Sequence, residues 1–260
     1  MSEATLHAGY EDLGVLSSKV DEGISARGAI GLLVLATDQT MEHEFRQLVR
    51  LPGVGVYVAR LHNDAEITPE TLRALAPRIA PATALILPGL KLDVVAFGCT
   101  SASMTLGEPA VFAEIGKVRP EVRCTTPVTA AFAAFRALGA RRIGVLTPYA
   151  AAVNRTVLDY LEAHGAGVAA FATFDRQDDR EAARIATHSI REGIKALRRR
   201  AALDCVFVSC TSLRLAEIVE EVEAETGIAV TSSDHALAWH AIRLAGIGEA
   251  VPGAGRLFRL

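Results

Sequence analysis

No apolar stretch in the sequence approaches the roughly 20 residues a membrane helix needs, and the opening MSEATLHAGYEDLG lacks the basic-then-apolar plan of a secretory leader. These absences predict a cytoplasmic protein with no membrane partner. There is no CxxC or HExxH pair, and His235 and His240 stand five apart, which does not put two ligands on one helical face, so no metal is expected. No GxGxxG or GxxxxGKS/T loop follows a strand-like run, so nothing is in place to cradle a pyrophosphate. Basic excess is missing too: 27 Lys and Arg stand against 30 Asp and Glu, a net charge of -3, which argues against a nucleic-acid partner. The one basic cluster, Lys195 with Arg198, Arg199 and Arg200, reads as a solvated helix C-terminus. Four cysteines in 260 residues do not make a secreted disulfide framework, so free thiols are expected.

Half of the residues are hydrophobic, enough for one large core or two lobes. Strand-like runs alternate with helical stretches: IGLLVLAT from Ile30, a helical MEHEFRQLV, VGVYVARL, a helical 69–79, then DVVAFGC. That alternation predicts βαβ units and a parallel sheet flanked by helices. The pattern occurs twice. IGLLVLAT at 30 is answered by IGVLTPYA at 143, GVGVYVARL at 53 by GAGVAAFATF at 165, and DVVAFGCTS at 93 by DCVFVSCTS at 204, at offsets of 113, 112 and 111. A weaker echo pairs 125–139 with 231–246. Two related α/β lobes across a pseudo-twofold axis follow, with an arm at 1–28, a first lobe at 29–127, a second at 128–235, and a C-terminal helix and tail at 236–260 that crosses towards the first. The arm is expected to pack on a lobe, on a neighbouring subunit, or to form a tail.

In each repeat a cysteine stands where a buried strand stops and a small-polar turn opens: GCTSAS at 98–103 and SCTSLR at 209–214. Ligands of open α/β sheets bind beyond the carboxyl ends of strands, so equivalent turns of two facing lobes look into one cleft. A thiol at a helix N-terminus has its pKa lowered, which predicts reactive Cys99 and Cys210. The nearby amides, with the hydroxyls of Thr100, Ser101, Thr211 and Ser212, could bind a carboxylate or a developing enolate. Cys205, inside its strand, and Cys124, which has no repeat partner, read as structural.

With those residues in view, the chain resembles the aspartate/glutamate racemase superfamily, in the branch of maleate cis-trans isomerases, arylmalonate decarboxylases and the ectoine-utilisation protein EutA. ATDQTMEHEFR, VAFGCTSAS, LTPYAAAVN and VSCTSLR most resemble EutA. The resemblance implies two pseudosymmetric flavodoxin-like (Rossmann-like) lobes, no cofactor, and a small carboxylate held in the cleft between Cys99 and Cys210. It also implies a homodimer or homotetramer. The decarboxylases keep only the cysteine corresponding to Cys210, so the presence of both argues for an isomerase or racemase. Tyr149 matches a carboxylate-binding tyrosine. Asp38 stands where maleate isomerases have asparagine, and either accepts hydrogen bonds from a cationic nitrogen of the substrate or caps the following helix. Asp178 and Asp179 fall near another asparagine position on a loose alignment. Thr126, Pro127 and Asp234 read as helix-start residues, Glu42 and Glu44 as first-turn charges, and His235 and His240 as core or supporting groups. The expected activity is EutA-like isomerisation or racemisation in ectoine or hydroxyectoine breakdown. Maleate isomerisation, amino-acid or hydantoin racemisation, decarboxylation and a non-catalytic binding role are the alternatives.

Overall fold

The computed structural model describes residues 6–260 except 8, 65 and 177. In the arm, β1 (Leu6–His7) and β2 (Tyr10–Glu11) form a short antiparallel pair. Two all-parallel four-stranded sheets follow. The first holds β3 (Gly28–Leu35), β4 (Val54–Leu61), β5 (Val94–Gly98) and β6 (Arg123–Thr125) in the order β4-β3-β5-β6. The second holds β7 (Ile143–Tyr149), β8 (Val168–Arg176), β9 (Cys205–Val208) and β10 (Ala229–Ser232) in the order β8-β7-β9-β10. The two orders are identical under the sequence repeat. So is a detail of their construction. The Asp93 carboxylate accepts from the Ala29 amide at 2.9 Å, and Asp204 accepts from the equivalent Arg142 amide at 2.9 Å, each fixing the start of a central strand.

Every residue of β3, β5, β7 and β9 is buried, as expected for central strands covered on both faces, whose sequences read as continuous apolar runs. The helix Met41–Leu48 buries Met41, Phe45 and Leu48 at helical spacing. The basic cluster ends the helix Thr187–Arg200, which buries Ile190, Ile194 and Leu197. The single helix expected over 69–79 is two, Pro69–Arg73 and Ala76–Ala84. Pro77 offers no amide and its ring would strike the carbonyl a turn earlier, so the chain restarts there instead of continuing.

The lobes exchange their last helices. Helix Pro127–Leu138, which follows the first sheet, puts Val128, Ala131 and Phe135 into the core of the second, where Phe135 meets Phe207 edge-on at 5.6 Å. Helix Ser233–Leu244, which follows the second sheet, joins the first core with Leu237, Trp239 and Ile242, and the tail adds Leu257 and Phe258. The two helices also pack on each other. Both start with a hydroxyl cap: Thr126 accepts from the Thr129 amide and Ser232 from that of His235.

The arm runs over 12–23 without regular structure, and Leu13, Val15, Leu16 and Val20 are exposed. It meets the body where Tyr57 donates to the Ser25 hydroxyl. Residues 1–5 and 8 of the expected arm lie outside the described residues. Among those described, no helix is long and apolar enough to cross a membrane.

Candidate active site

A pocket opens at the carboxyl ends of the two sheets and is lined from both repeats. The first contributes Cys99, Thr100 and Ser101, with Leu35 and the segment beyond β4, including Asn63, Asp64, Glu66 and Ile67. The second contributes Tyr149, Asp179, Cys210 and Thr211. The thiols expected from the sequence therefore meet in one site. Gly98 lets β5 deliver Cys99 there, because a Cβ at that position would lie 2.2 Å from the Met41 sulfur and 2.8 Å from the Leu33 carbonyl oxygen.

The surroundings of the two thiols differ. Cys99 occupies the N-cap of helix Thr100–Leu106, with the Ser101 hydroxyl 3.7 Å from its sulfur and the Ala102 amide donating to it. No helix follows Cys210. Residues 209–218 form turns, and the next helix begins at Val219, so the helix N-terminus expected beside Cys210 is absent. Cys210 instead accepts from the Ser212 amide at 3.3 Å and from the Tyr149 hydroxyl.

The expected lowering of the thiol pKa values is reversed. Cys99 and Cys210 are only 4% and 3% exposed. Burial pushes the Cys99 thiol up to about 11, against the amide and hydroxyl bonds that favour its thiolate, and the charges of Asp179 and Asp38 push it further. Burial and then Asp179 raise Cys210 still more. Tyr149, 2% exposed, is held well above the ordinary phenol value by burial and by the neighbouring Cys210. Local helix-end electrostatics are overridden because desolvation acts on the whole charge of the thiolate, whereas one or two amides recover only part of it. With a pKa near 11, about one Cys99 in ten thousand is a thiolate at neutral pH. Alkylation by iodoacetamide, followed peptide by peptide in the mass spectrometer, should be slow at pH 7 and rise about tenfold per pH unit towards that pKa. Fast, pH-independent labelling at Cys99 would contradict the burial argument.

Several of the hydroxyls expected to face substrate are committed to protein partners. Thr100 donates to Ser233 at 2.7 Å, tying the first turn to the exchanged helix. Thr211 donates to Asp38, and Ser212 donates to Asp179. The Ser101 hydroxyl instead stands beside the Cys99 sulfur. Asp38 itself does not line the pocket. Its Oδ1 accepts from the amides of Thr40 and Met41 at 2.8 Å each and so opens helix Met41–Leu48. Burial raises its carboxyl to about 6.

Asp179, loosely aligned with an asparagine position in the sequence, lines the pocket, as do Asn63, Asp64 and Glu66, which no motif marks. Thr37 donates to one Asp179 oxygen at 3.1 Å and Ser212 to the other, so both lobes hold it. The repeat itself carried a usable signal. Ligand sites lie beyond strand ends, and the segments after β4 and β8 are repeat equivalents; they meet in an isolated bridge between Glu66 and Asp178. Glu44 is a second surprise. It is fully buried, and its carboxylate accepts from the amides of Leu215 and Ala216 at 3.1 and 2.9 Å, clamping the turn after Cys210 to the first lobe. Burial lifts it to about 7. Glu42 instead pairs with Arg46 and Arg60 at the surface. His235 bonds Thr231 and the Ala254 carbonyl, and His240 bonds Thr125; burial lowers both to about 4, in keeping with structural roles.

The profile of the arylmalonate decarboxylase family matches residues 61–258. The chain belongs to the arylmalonate decarboxylase family. A maleate isomerase of Nocardia farcinica is 28% identical over 242 residues, covering 88% of this chain and 95% of the relative. Arylmalonate decarboxylase of Bordetella bronchiseptica is 34% identical over 137 residues, 52% of this chain and 57% of that protein. Among solved structures, a cysteine-to-serine mutant of the N. farcinica maleate cis-trans isomerase with a covalently bound succinylcysteine intermediate superposes with a TM-score of 0.78. It is 27% identical and covers 89% of this chain and 98% of its own. The two parallel sheets flanked by helices are thus the fold of this family, and the pocket lies in an enzyme of the arylmalonate decarboxylase and maleate isomerase type.

Proposed function

We propose that the protein is an isomerase acting on a carbon next to a carboxylate through Cys99 and Cys210. The observation that carries this reading is the meeting of two repeat-related thiols in one buried pocket. Cys99, the less strongly raised of the two, serves as thiolate, and Cys210, beside the Tyr149 hydroxyl, serves as proton donor. In a cis-trans reaction the thiolate forms a C–S bond to one alkene carbon, the electron pair moves into the enolate of the carboxylate on the other carbon, and Cys210 protonates that carbon to give a saturated thioether. Rotation about the resulting single bond, return of a proton to Cys210 and expulsion of the Cys99 thiolate restore the double bond. In a racemisation Cys99 takes the α proton and Cys210 delivers its own to the opposite face, leaving total charge unchanged. The succinylcysteine of the N. farcinica enzyme supports the first route.

For the substrate, the motif resemblance favours an ectoine or hydroxyectoine derivative, and the N. farcinica relative favours maleate. Proton NMR in heavy water with hydroxyectoine, ectoine, maleate and aspartate in turn separates them, with the double Cys99→Ser, Cys210→Ser variant as control. Deuterium entering beside a carboxylate, or fumarate formed from maleate, is expected with the wild type only. The same signals from the double variant would rule out the two-thiol chemistry, and silence on all four compounds would favour a binding protein.

A further inference from the structure

We propose that Asp179 anchors a cationic nitrogen, so that the two-thiol site takes a zwitterion with one carboxylate beside the reacting carbon and one ammonium or amidinium group. The inference rests on the reading above and names the substrate class for it.

The wall of the pocket supplies the first argument. Asp64, Glu66 and Asp179 line it, and among the described lining residues there is no lysine, arginine or histidine. Arg176 and Arg214, on the segments beside Asp179 and Cys210, do not line the pocket, and two further arginines near it are engaged. Arg60 is held by Glu42 and by the carbonyls of Leu35, Ala36 and Asp38, and Arg180 is held by Asp178. A substrate with two carboxylates would bring its second charge into this pocket without a counter-charge, beside the buried Asp179 and at a rim that carries Asp64 and Glu66.

The construction around Asp179 supplies the second. It is 8% exposed and lines the pocket. Thr37 and Ser212 each donate to one carboxylate oxygen, and Asn63 in turn donates to the Thr37 hydroxyl at 2.8 Å, which orients that hydroxyl towards Asp179. The carboxylate is therefore fixed by hydroxyls from both lobes, yet no ion pair reaches it among the described residues. Each oxygen accepts one of these hydroxyl bonds and has capacity for another. Buried anions are ordinarily paired, and a ligand cation completes this one. Asp38, the acid first considered for this role, spends its Oδ1 on a helix start and does not line the pocket.

The charge of Asp179 bears on Cys99, Cys210 and Tyr149 together, and at each it opposes ionisation. A cation settling on Asp179 cancels that field and eases loss of the Cys99 proton, so the right substrate readies its own thiolate. A dianion does the reverse and holds the site protonated.

Calorimetry at pH 7 with succinate and 4-aminobutyrate, two flexible acids of similar length that differ in one terminal charge, tests the proposal, with ectoine as an amidinium probe. Wild type should bind the zwitterions at least about tenfold more tightly than succinate. The near-isosteric Asp179→Asn variant should lose at least about tenfold for the zwitterions and gain for succinate. Equal binding, preference for succinate, no binding of either zwitterion, or a preference unchanged in Asp179→Asn would overturn it. If that variant does not fold, the wild-type preference alone decides. Running the same titrations on Cys99→Ser, Cys210→Ser protein separates the two readings. A charge preference that persists while the thiol variants keep turnover sinks only the two-thiol chemistry. Thiol-dependent turnover without the preference sinks only the anchor.

Discussion

Serine in place of Cys99 or of Cys210 is expected to lower turnover on the true substrate by about a thousandfold or more, with little change in stability. The exchange is close to isosteric, and each thiol sits in a pocket already built to hold it, so folding should survive. Serine nevertheless cannot replace either function. Its hydroxyl ionises far less readily than a thiol, and the burial that pushes Cys99 to about 11 acts on an alkoxide at least as strongly. General acid–base groups contribute about 10² to 10⁴ in rate, and loss of a covalent nucleophile removes that route altogether. The losses should differ in kind. Cys99→Ser abolishes every reaction that needs a thiolate. Cys210→Ser blocks proton delivery and can leave a covalent adduct on Cys99, visible as a mass increase of intact protein after mixing with substrate. An adduct on Cys210 in the Cys99→Ser variant would reverse the assignment of the two roles.

The second large effect lies outside the pocket. Glu44→Ala is expected to destabilise the protein by about 2–5 kcal/mol, because it leaves the amides of Leu215 and Ala216 buried without an acceptor. In a chain of this size that lowers Tm by several degrees, on the order of 10 °C. Turnover should fall as well, since the clamped turn carries Cys210. Glu44→Gln keeps one carbonyl acceptor and removes the titration, so it isolates the effect of pH. The folded-state pKa of about 7 lies above the ordinary 4.5, so the folded protein retains a proton that the unfolded chain releases. The resulting stabilisation is fully present below about 4.5 and is lost as pH rises through about 7. Asp38, raised to about 6, acts in the same sense over a lower range. Wild-type Tm should therefore fall between pH 5 and 8 by more than that of Glu44→Gln, as read by calorimetry. Equal slopes would mean that Glu44 is ionised throughout.

What could be read from the sequence was whatever depends on neighbours along the chain. The apolar runs at 30, 143, 93 and 204 report burial of central strands directly, and their offsets report the duplication. The Cys-Thr-Ser turns marked the pocket because a strand end is a local feature. The features that escaped depend on contacts between distant segments. Nothing around Asp38 distinguishes a helix-opening carboxylate from a ligand contact until Thr40 and Met41 are seen to use it. Cys210 looked like the start of a helix because, like Cys99, it ends a buried strand and opens a small-polar turn; yet SLRLAEI winds into turns, with the amides of Leu215 and Ala216 given to Glu44 of the other lobe. The rise in thiol pKa is likewise invisible locally, because it comes from how completely two sheets close over the sulfurs.

The exchanged helices also set the order in which the molecule can be completed. The first sheet is synthesised early, but its cover includes Leu237, Trp239, Ile242 and Phe258, about 200 residues further along the chain. Until those residues leave the ribosome, one face of β3 and β5 has no permanent partner, and the nascent N-terminal half carries an apolar surface it cannot bury by itself. Closing so long a loop before its contacts form is entropically costly, which favours slow, late assembly. A two-lobed molecule that looks divisible at its cleft is in this respect indivisible, and its last two dozen residues decide whether its first hundred are finished.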